Sequence, residues 1–381
     1  MKHLHKIALG AMTAVCLAGF PALADIRLGA TISETGPAAF LGDPEAKTLK
    51  LLVDKINAAG GVNGEKIVLF LYDDGGDPNK ARTFATRLVE DDEVQAIIGG
   101  TTTGTSMSII PVAEEAEIPF ISLAGAIEIV QPVKPWVFKT PHTDRMACEK
   151  IFADMQKQGY TKIGLISGTD GFGASMRKQC LDVVADYGIE VVGDESYGPQ
   201  DADMTPQLTN LRGKPGVQAI LNPGFGQGPS IVTRNFAQLG IALPLYQSHG
   251  VASDGFIDLA GAKAAEGVRL PGTALLIADL LPDSDPQKPV VSAYVADYQG
   301  QYNTAPTTFG GYAHDALAIY VDAIKRAGST EPAAVRDAIE ATSGLTGTTG
   351  IVTMSKDDHL GLDLSAFRML EIRDGGWKLV E

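Results

Sequence analysis

The chain has 381 residues, with 46 acidic against 31 basic side chains and a formal net charge of −15. That balance excludes nucleic acid and anionic lipid as natural partners. Beyond the N-terminus no run reaches the ~18 apolar residues a membrane-spanning helix needs; the best, Thr273 to Leu281, has about half.

Met1 to Ala24 reads as a secretory signal peptide. Lys2 and Lys6 precede an apolar run from Ile7 to Phe20, and Ala22 and Ala24 supply the small residues of a cleavage site. Lipidation at Cys16 is the weaker reading, because Val15 stands where Gly or Ala is wanted. Cleavage after Ala24 leaves an exported chain with two cysteines, Cys148 and Cys180, on separate predicted helices. An oxidising compartment permits them to pair, and spacing alone leaves the disulfide open.

In chain order, Ile26–Ser33, Lys66–Asp74, Val94–Gly100 and Ile118–Ala124 read as strands. Between the first two, Leu49, Leu52, Val53 and Ile56 recur with helical spacing, and Pro78 opens a second helix behind an Asp77 cap. This βαβα alternation predicts a parallel sheet with helices on both faces. The pattern restarts after Pro141: strands at Lys162–Ser167, Glu190–Tyr197, Val217–Asn222 and Leu243–Ser248 alternate with helices near 144–158, 173–187 and 226–239. From Gly267 on, one connecting strand is followed by helices near 288–303, 309–327 and 331–341. A β-rich tail closes the chain with Ala366–Arg373 and a turn at Asp374-Gly375-Gly376. The chain is too long for one comfortable core. The late helices lack strands of their own and are expected to pack back on the first unit. The expected architecture is α/β: two doubly wound parallel-sheet lobes, 25–141 plus 273–346 and 142–272 plus 347–381, able to close on a cleft.

The segment Ile97-Ile98-Gly99-Gly100-Thr101-Thr102-Thr103-Gly104-Thr105-Ser106 ends a strand and opens a helix. Ligands of open α/β sheets bind at such places, where free N–H groups and the helix dipole favour an anion. A phosphate loop would need a lysine after the last glycine, and Thr105 stands there. The alternatives are a carboxylate site or a turn with a helix cap. Catalytic and metal patterns are absent: there is no HExxH, CxxC or GxSxG, and His142, His249, His314 and His359 lack ligand spacing. Asp73-Asp74-Gly75-Gly76-Asp77 lacks the alternation and distal Glu of a calcium loop. Gly224-Phe225-Gly226-Gln227-Gly228 misfits the dinucleotide fingerprint and reads as a loop before a helix. No enzyme, cofactor or metal is expected.

Ile26 to Ser33, Gly36-Pro37, Leu41-Gly42-Asp43, the block from Ile56 to Pro78 (INAAGGVNGEKIVLFLYDDGGDP), the loop above and Ile118 to Ser122 together resemble the periplasmic solute-binding proteins of leucine/isoleucine/valine-type ABC importers. The likeness covers nearly the whole exported chain. It implies a type I periplasmic-binding fold with three chain crossings, a monomer in the periplasm with no membrane insertion, and delivery of a small carboxylate to an inner-membrane permease. In that family the ligand carboxylate is held by a hydroxyl and backbone amides, positions that resemble Thr103 and Ala124-Gly125-Ala126 here. The position similar to the family's ammonium-binding glutamate is His249, and the lining carries Leu41, Phe172 and Phe225 where amino-acid binders tend to have tyrosines. A cysteine pair of some amino-acid binders is absent, with Gly76 and Thr102 in its place.

A buried ammonium without a partner costs several kcal/mol. The resemblance with these departures therefore leads to an aromatic monocarboxylate, benzoate-like, phenylacetate-like or an aryl 2-oxo acid, unless an acid such as Asp170 or Asp254 reaches the site. A branched-chain or other aliphatic amino acid or amide is the alternative ligand, and an exported ligand-sensing domain the alternative role.

Overall fold

The computed structural model describes residues 25–380; the expected signal peptide lies outside them. The first sheet has five strands, β1 (Ile26–Ile32), β2 (Ile67–Asp73), β3 (Ala96–Gly99), β4 (Phe120–Ser122) and β5 (Val137–Lys139), in the order β2-β1-β3-β4-β5. All its pairings are parallel. Every β1 side chain but Arg27 is buried and β3 is buried throughout, as expected of a sheet covered on both faces. Helices α1 (Ala39–Ala58), α2 (Pro78–Glu90) and α3 (Thr103–Ala116) make the crossovers. Asp77 caps α2 by accepting from the Asn79 and Lys80 amides. The neighbouring acids of the same turn serve the fold: Asp73 accepts from Thr35, and Asp74 from Thr31, Ser33 and Gly76.

The chain leaves this sheet at Lys139 and enters the second lobe with α4 (Asp144–Lys157). There follow β6 (Lys162–Gly168), α5 (Gly171–Val183), β7 (Glu190–Tyr197), α6 (Thr205–Arg212), β8 (Ala219–Asn222), α7 (Gln227–Gln238), β9 (Leu245–Gln247), α8 (Asp254–Ala260), α9 (Ala262–Ala265) and β10 (Arg269–Gly272). Then α10 (Lys288–Tyr302), α11 (Thr308–Ala327) and α12 (Pro332–Glu340) return, with α11 packed along α1 and α12 on α11. The hairpin β11 (Leu345–Thr346) and β12 (Ile351–Val352) is pinned to α11 by Asp315, whose carboxylate accepts from the amides of Thr348 and Thr349. A last crossing carries the chain to β13 (Arg368–Arg373) and β14 (Gly376–Leu379). These two antiparallel strands complete a seven-stranded sheet ordered β14-β13-β10-β9-β8-β6-β7, parallel from β10 to β7.

The result is the expected pair of doubly wound lobes joined by three crossings. Strand β5 and helices α6, α8 and α9 are additions to the elements read from sequence. The stretch Thr273 to Leu281 forms a kinked 3-10 segment from Ala274 to Leu280, and among the described residues no helix is long and apolar enough to cross a membrane.

Cys148 of α4 and Cys180 of α5 are joined, with Cα atoms 5.1 Å apart and both side chains fully buried, which resolves the pairing that spacing left open. The bridge closes a loop of 32 residues in sequence separation, for which the chain-entropy account gives about 3–4 kcal/mol. The double variant Cys148→Ser, Cys180→Ser should therefore lose about that much in denaturant unfolding, and reductant should lower the midpoint of the parent protein but not of the variant.

Candidate functional site

The sheets present their carboxyl ends to each other across the cleft, and the loops there line a pocket between the lobes. From the first lobe come Leu41 of α1, Thr101 to Thr103 between β3 and α3, and Leu123 to Gly125 after β4; Phe309 and Tyr312 reach in from α11. The second lobe supplies Phe172 at the start of α5, Phe225 from the loop before α7, and His249 and Gly250 after β9. Pro141 of the first crossing closes the back. The lobes touch: a Cβ added at Gly171 of α5 would lie 3.7 Å from the Thr103 side chain.

The hydroxyls of the Thr/Ser loop divide into two classes. Thr102 and Thr105 cap α3 reciprocally, each side chain bonding the other's backbone amide. Ser106 donates to the Gly100 carbonyl at 2.6 Å. Thr101 accepts from the Ser33 amide and donates to Glu45 at 2.6 Å. Thr103 alone of the five has a buried oxygen with no partner, and it lines the void at the N-terminus of a 14-residue helix. An unpaired buried hydroxyl costs about 1–3 kcal/mol unless something outside the chain satisfies it. The helix-cap and anion-site readings thus both describe this loop, through different residues.

After β4, the Ala124 amide donates to Ser122 Oγ at 3.1 Å. The carbonyl of Gly125 accepts from Lys139 Nζ at 3.0 Å and from the Asp144 amide at 2.9 Å, and that of Ala126 from Lys139 at 3.4 Å. Ala126 is fully buried beneath the loop and does not line the void. Of the expected ligand-contact residues it is the one that does not line this pocket. Gly125 can be nothing larger: a Cβ there would meet the Phe172 ring at 2.8 Å and His249 Nε2 at 3.0 Å.

The other sequence-predicted residues, Leu41, Thr103, Ala124, Gly125, Phe172, Phe225 and His249, are brought together on one void. Phe172 sits edge-on to Phe225 and to His249, with ring centroids 6.1 Å and 5.4 Å apart. Sequence reasoning missed Phe309 and Tyr312, whose helix reads as a core helix, and Lys139, a lysine at the end of a strand it did not see. Tyr312 matters because its buried hydroxyl has no partner. Asp170 and Asp254 do not reach in: Asp170 caps α5 through the Phe172 and Gly173 amides, and Asp254 accepts from Trp377. Among the described residues, no Asp, Glu, Lys or Arg side chain lines this void.

Burial pushes the His249 pKa down to about 3, with the nearby Lys139 charge adding to the effect. The ring is therefore neutral, offering one donor and one acceptor. Burial likewise pushes the Lys139 ammonium down to about 7, opposed by Asp144, and Glu45 well above the usual carboxylate range. His142, stacked on Phe367 at 3.9 Å, is held well below the ordinary imidazole value by burial.

A model of the periplasmic binding protein family matches residues 25–376. A Leu/Ile/Val-binding protein homolog 7 from Brucella abortus (strain 2308) is 31% identical over 234 residues, 59% of this chain and 57% of that protein, so the match spans little more than half of such relatives. The leucine-, isoleucine-, valine-, threonine-, and alanine-binding protein of Pseudomonas aeruginosa is 25% identical over 362 residues, 93% of each chain. The crystal structure of an extracellular ligand-binding receptor from Rhodopseudomonas palustris HaA2 superposes with a TM-score of 0.87 at 32% identity, covering 94% of this chain and 100% of that one.

Two outcomes follow from the unpaired Thr103 hydroxyl and the buried His249 ring. Thr103→Val should leave the ligand-free protein as stable as the parent or up to about 1 kcal/mol more so, since it removes an unpaired hydroxyl; a loss above ~1 kcal/mol in urea unfolding would mean the hydroxyl has an internal partner. His249 is neutral when folded but takes up a proton near pH 6.5 when unfolded. Its contribution is intact above pH 6.5 and is lost on acidification toward about pH 3, by up to ~1.4 kcal/mol per pH unit. The stability of His249→Gln should accordingly fall less steeply between pH 6.5 and 5 than that of the parent, and equal slopes would show a solvated ring.

Proposed function

The chain belongs to the periplasmic binding protein family, of the leucine/isoleucine/valine-binding type, and on that premise we propose that it captures a small aromatic monocarboxylate in the interlobe void. The protein acts in the periplasm, as a monomer, and hands the closed complex to an inner-membrane ABC permease. The observation that carries the ligand class is a void walled by Phe172, Phe225, Phe309 and Tyr312 with no charged side chain on it. An α-ammonium enclosed there would have no counter-charge, at a cost of several kcal/mol, where each 1.4 kcal/mol is tenfold in affinity. A carboxylate fares better. Thr103 offers its free hydroxyl, the first turn of α3 offers amides and the positive end of the helix dipole, and Lys139 stands one residue layer behind Gly125.

A ring buried between these walls removes about 150–250 Å² of surface, worth roughly 4–6 kcal/mol. His249 and Tyr312 then serve neutral polar substituents, a keto oxygen or a phenol hydroxyl. Closure brings Phe172, Phe225 and His249 over a ligand first held by Thr103, and the closed form is what the permease engages.

The relatives' names favour a second reading, a branched-chain amino acid, in which His249 and the Tyr312 hydroxyl accept from the ammonium in place of a carboxylate. A thermal-shift screen on protein unfolded and refolded to strip ligand separates the two. Benzoates, phenylacetates or aryl 2-oxo acids should raise stability, by about 2.7 kcal/mol at 100 times Kd, while leucine and valine should not. His249→Glu should weaken the aromatic acids at least tenfold through charge repulsion. Shifts with leucine or valine in the parent protein would overturn the aromatic reading.

A further inference from the structure

A second pocket is lined by Phe40, Gly226 and Val251, the chain neighbours of Leu41, Phe225 and Gly250 that line the first. The rings of Phe40 and Phe225, one from each lobe, stack with centroids 6.3 Å apart. Phe40 also lies over Gly226, where an added Cβ would be 4.0 Å from the ring. Gly226 has a φ of +78° and carries no capping side chain, so the first amides of the 12-residue helix α7 are left without an intrahelical partner. One turn in, Ser230 is 2% exposed, lines this second void, and has a buried hydroxyl with no partner. The remaining walls are apolar or neutral, Pro37 and Val251 among them, and no charged side chain lines the chamber among the described residues.

We infer that the site has two chambers and that the outer one takes the far end of an elongated aromatic carboxylate, an extension opposite the carboxylate that ends in a neutral oxygen. The inference rests on the aromatic-acid reading above. An uncharged wall selects an uncharged extension. A hydroxyl or carbonyl oxygen at its end accepts from the α7 amides and pairs with Ser230, so it satisfies groups that the chain itself leaves unpaired. The carboxylate stays at Thr103 and the ring between Phe172 and Phe225, with the linker passing the Phe40 edge.

The test is titration calorimetry on the stripped protein with benzoate and the matched pair 4-butoxybenzoate and 4-(3-hydroxypropoxy)benzoate, which differ only in a terminal methyl or hydroxyl. The hydroxyl compound should bind about five to ten times more tightly than the butoxy one, as one net hydrogen bond implies, and Ser230→Ala should reduce that ratio. Gly255→Leu provides an independent arm: Gly255 lines the outer chamber, and a Cβ there meets only Ser253 Oγ, at 3.7 Å. It should weaken both extended acids about tenfold relative to benzoate. Benzoate binding with no binding of the extended acids, or unchanged ratios in both variants, would overturn the two-chamber inference alone. Failure of all three acids would overturn the aromatic reading and this inference with it.

Discussion

The site depends on a buried polar cluster at the hinge, built on Lys139 and Asp144. Lys139, fully buried at the end of β5, spends its ammonium on the carbonyls of Gly125 and Ala126. Asp144, two residues into the second lobe's side of the crossing, holds the same loop through its amide to Gly125 and its carboxylate to the Ile127 amide. The other carboxylate oxygen of Asp144 accepts from Ser175, one turn into α5. One small cluster thus fixes the loop that floors the void, the hinge, and the helix whose first turn carries Phe172.

Around that cluster the polar groups of the first lobe are nearly all consumed within the chain. Loop hydroxyls cap α3, bind backbone or meet Glu45, and the aspartates after β2 tie down Thr31, Ser33 and Thr35. Against so complete an accounting, an unpaired oxygen is informative. Those of Thr103 and Tyr312 both face the void, as does the neutral His249 ring. The chemistry on offer is several neutral donors and acceptors, one helix end, and a wall of aromatic carbon, with no formal charge in contact.

Much of this was legible in the sequence because both lobes obey period rules: buried parallel strands show as β-branched runs, helices as apolar spacing, and the Asp77-Pro78 cap as a local signature. The short elements were lost for lack of length. β5 has three residues, too few for any period, and with it went Lys139. Phe309 and Tyr312 lie some 200 residues from the Thr/Ser loop in sequence, on a helix whose apolar face is otherwise core. Only the packing of α11 along α1 brings them to the site. Composition also could not say which of five hydroxyls is free, since that depends on which way each bond closes. Nor could sequence separate Gly125, which lines the pocket, from its neighbour Ala126, which lies buried beside it.

The Cys148–Cys180 bridge bears on this arrangement more than its place in the core suggests. Cys148 lies one turn beyond Asp144 on α4, and Cys180 little more than a turn beyond Ser175 on α5. The covalent tie and the Asp144 to Ser175 bond are therefore consecutive rungs between the same two helices, the second of which carries Phe172. Chains synthesised in a reducing cytoplasm have only the hydrogen-bonded rung. Their aromatic wall is held less firmly, so the provenance of a preparation enters any comparison of binding constants, and oxidation state becomes a quantity to fix before ligands are ranked.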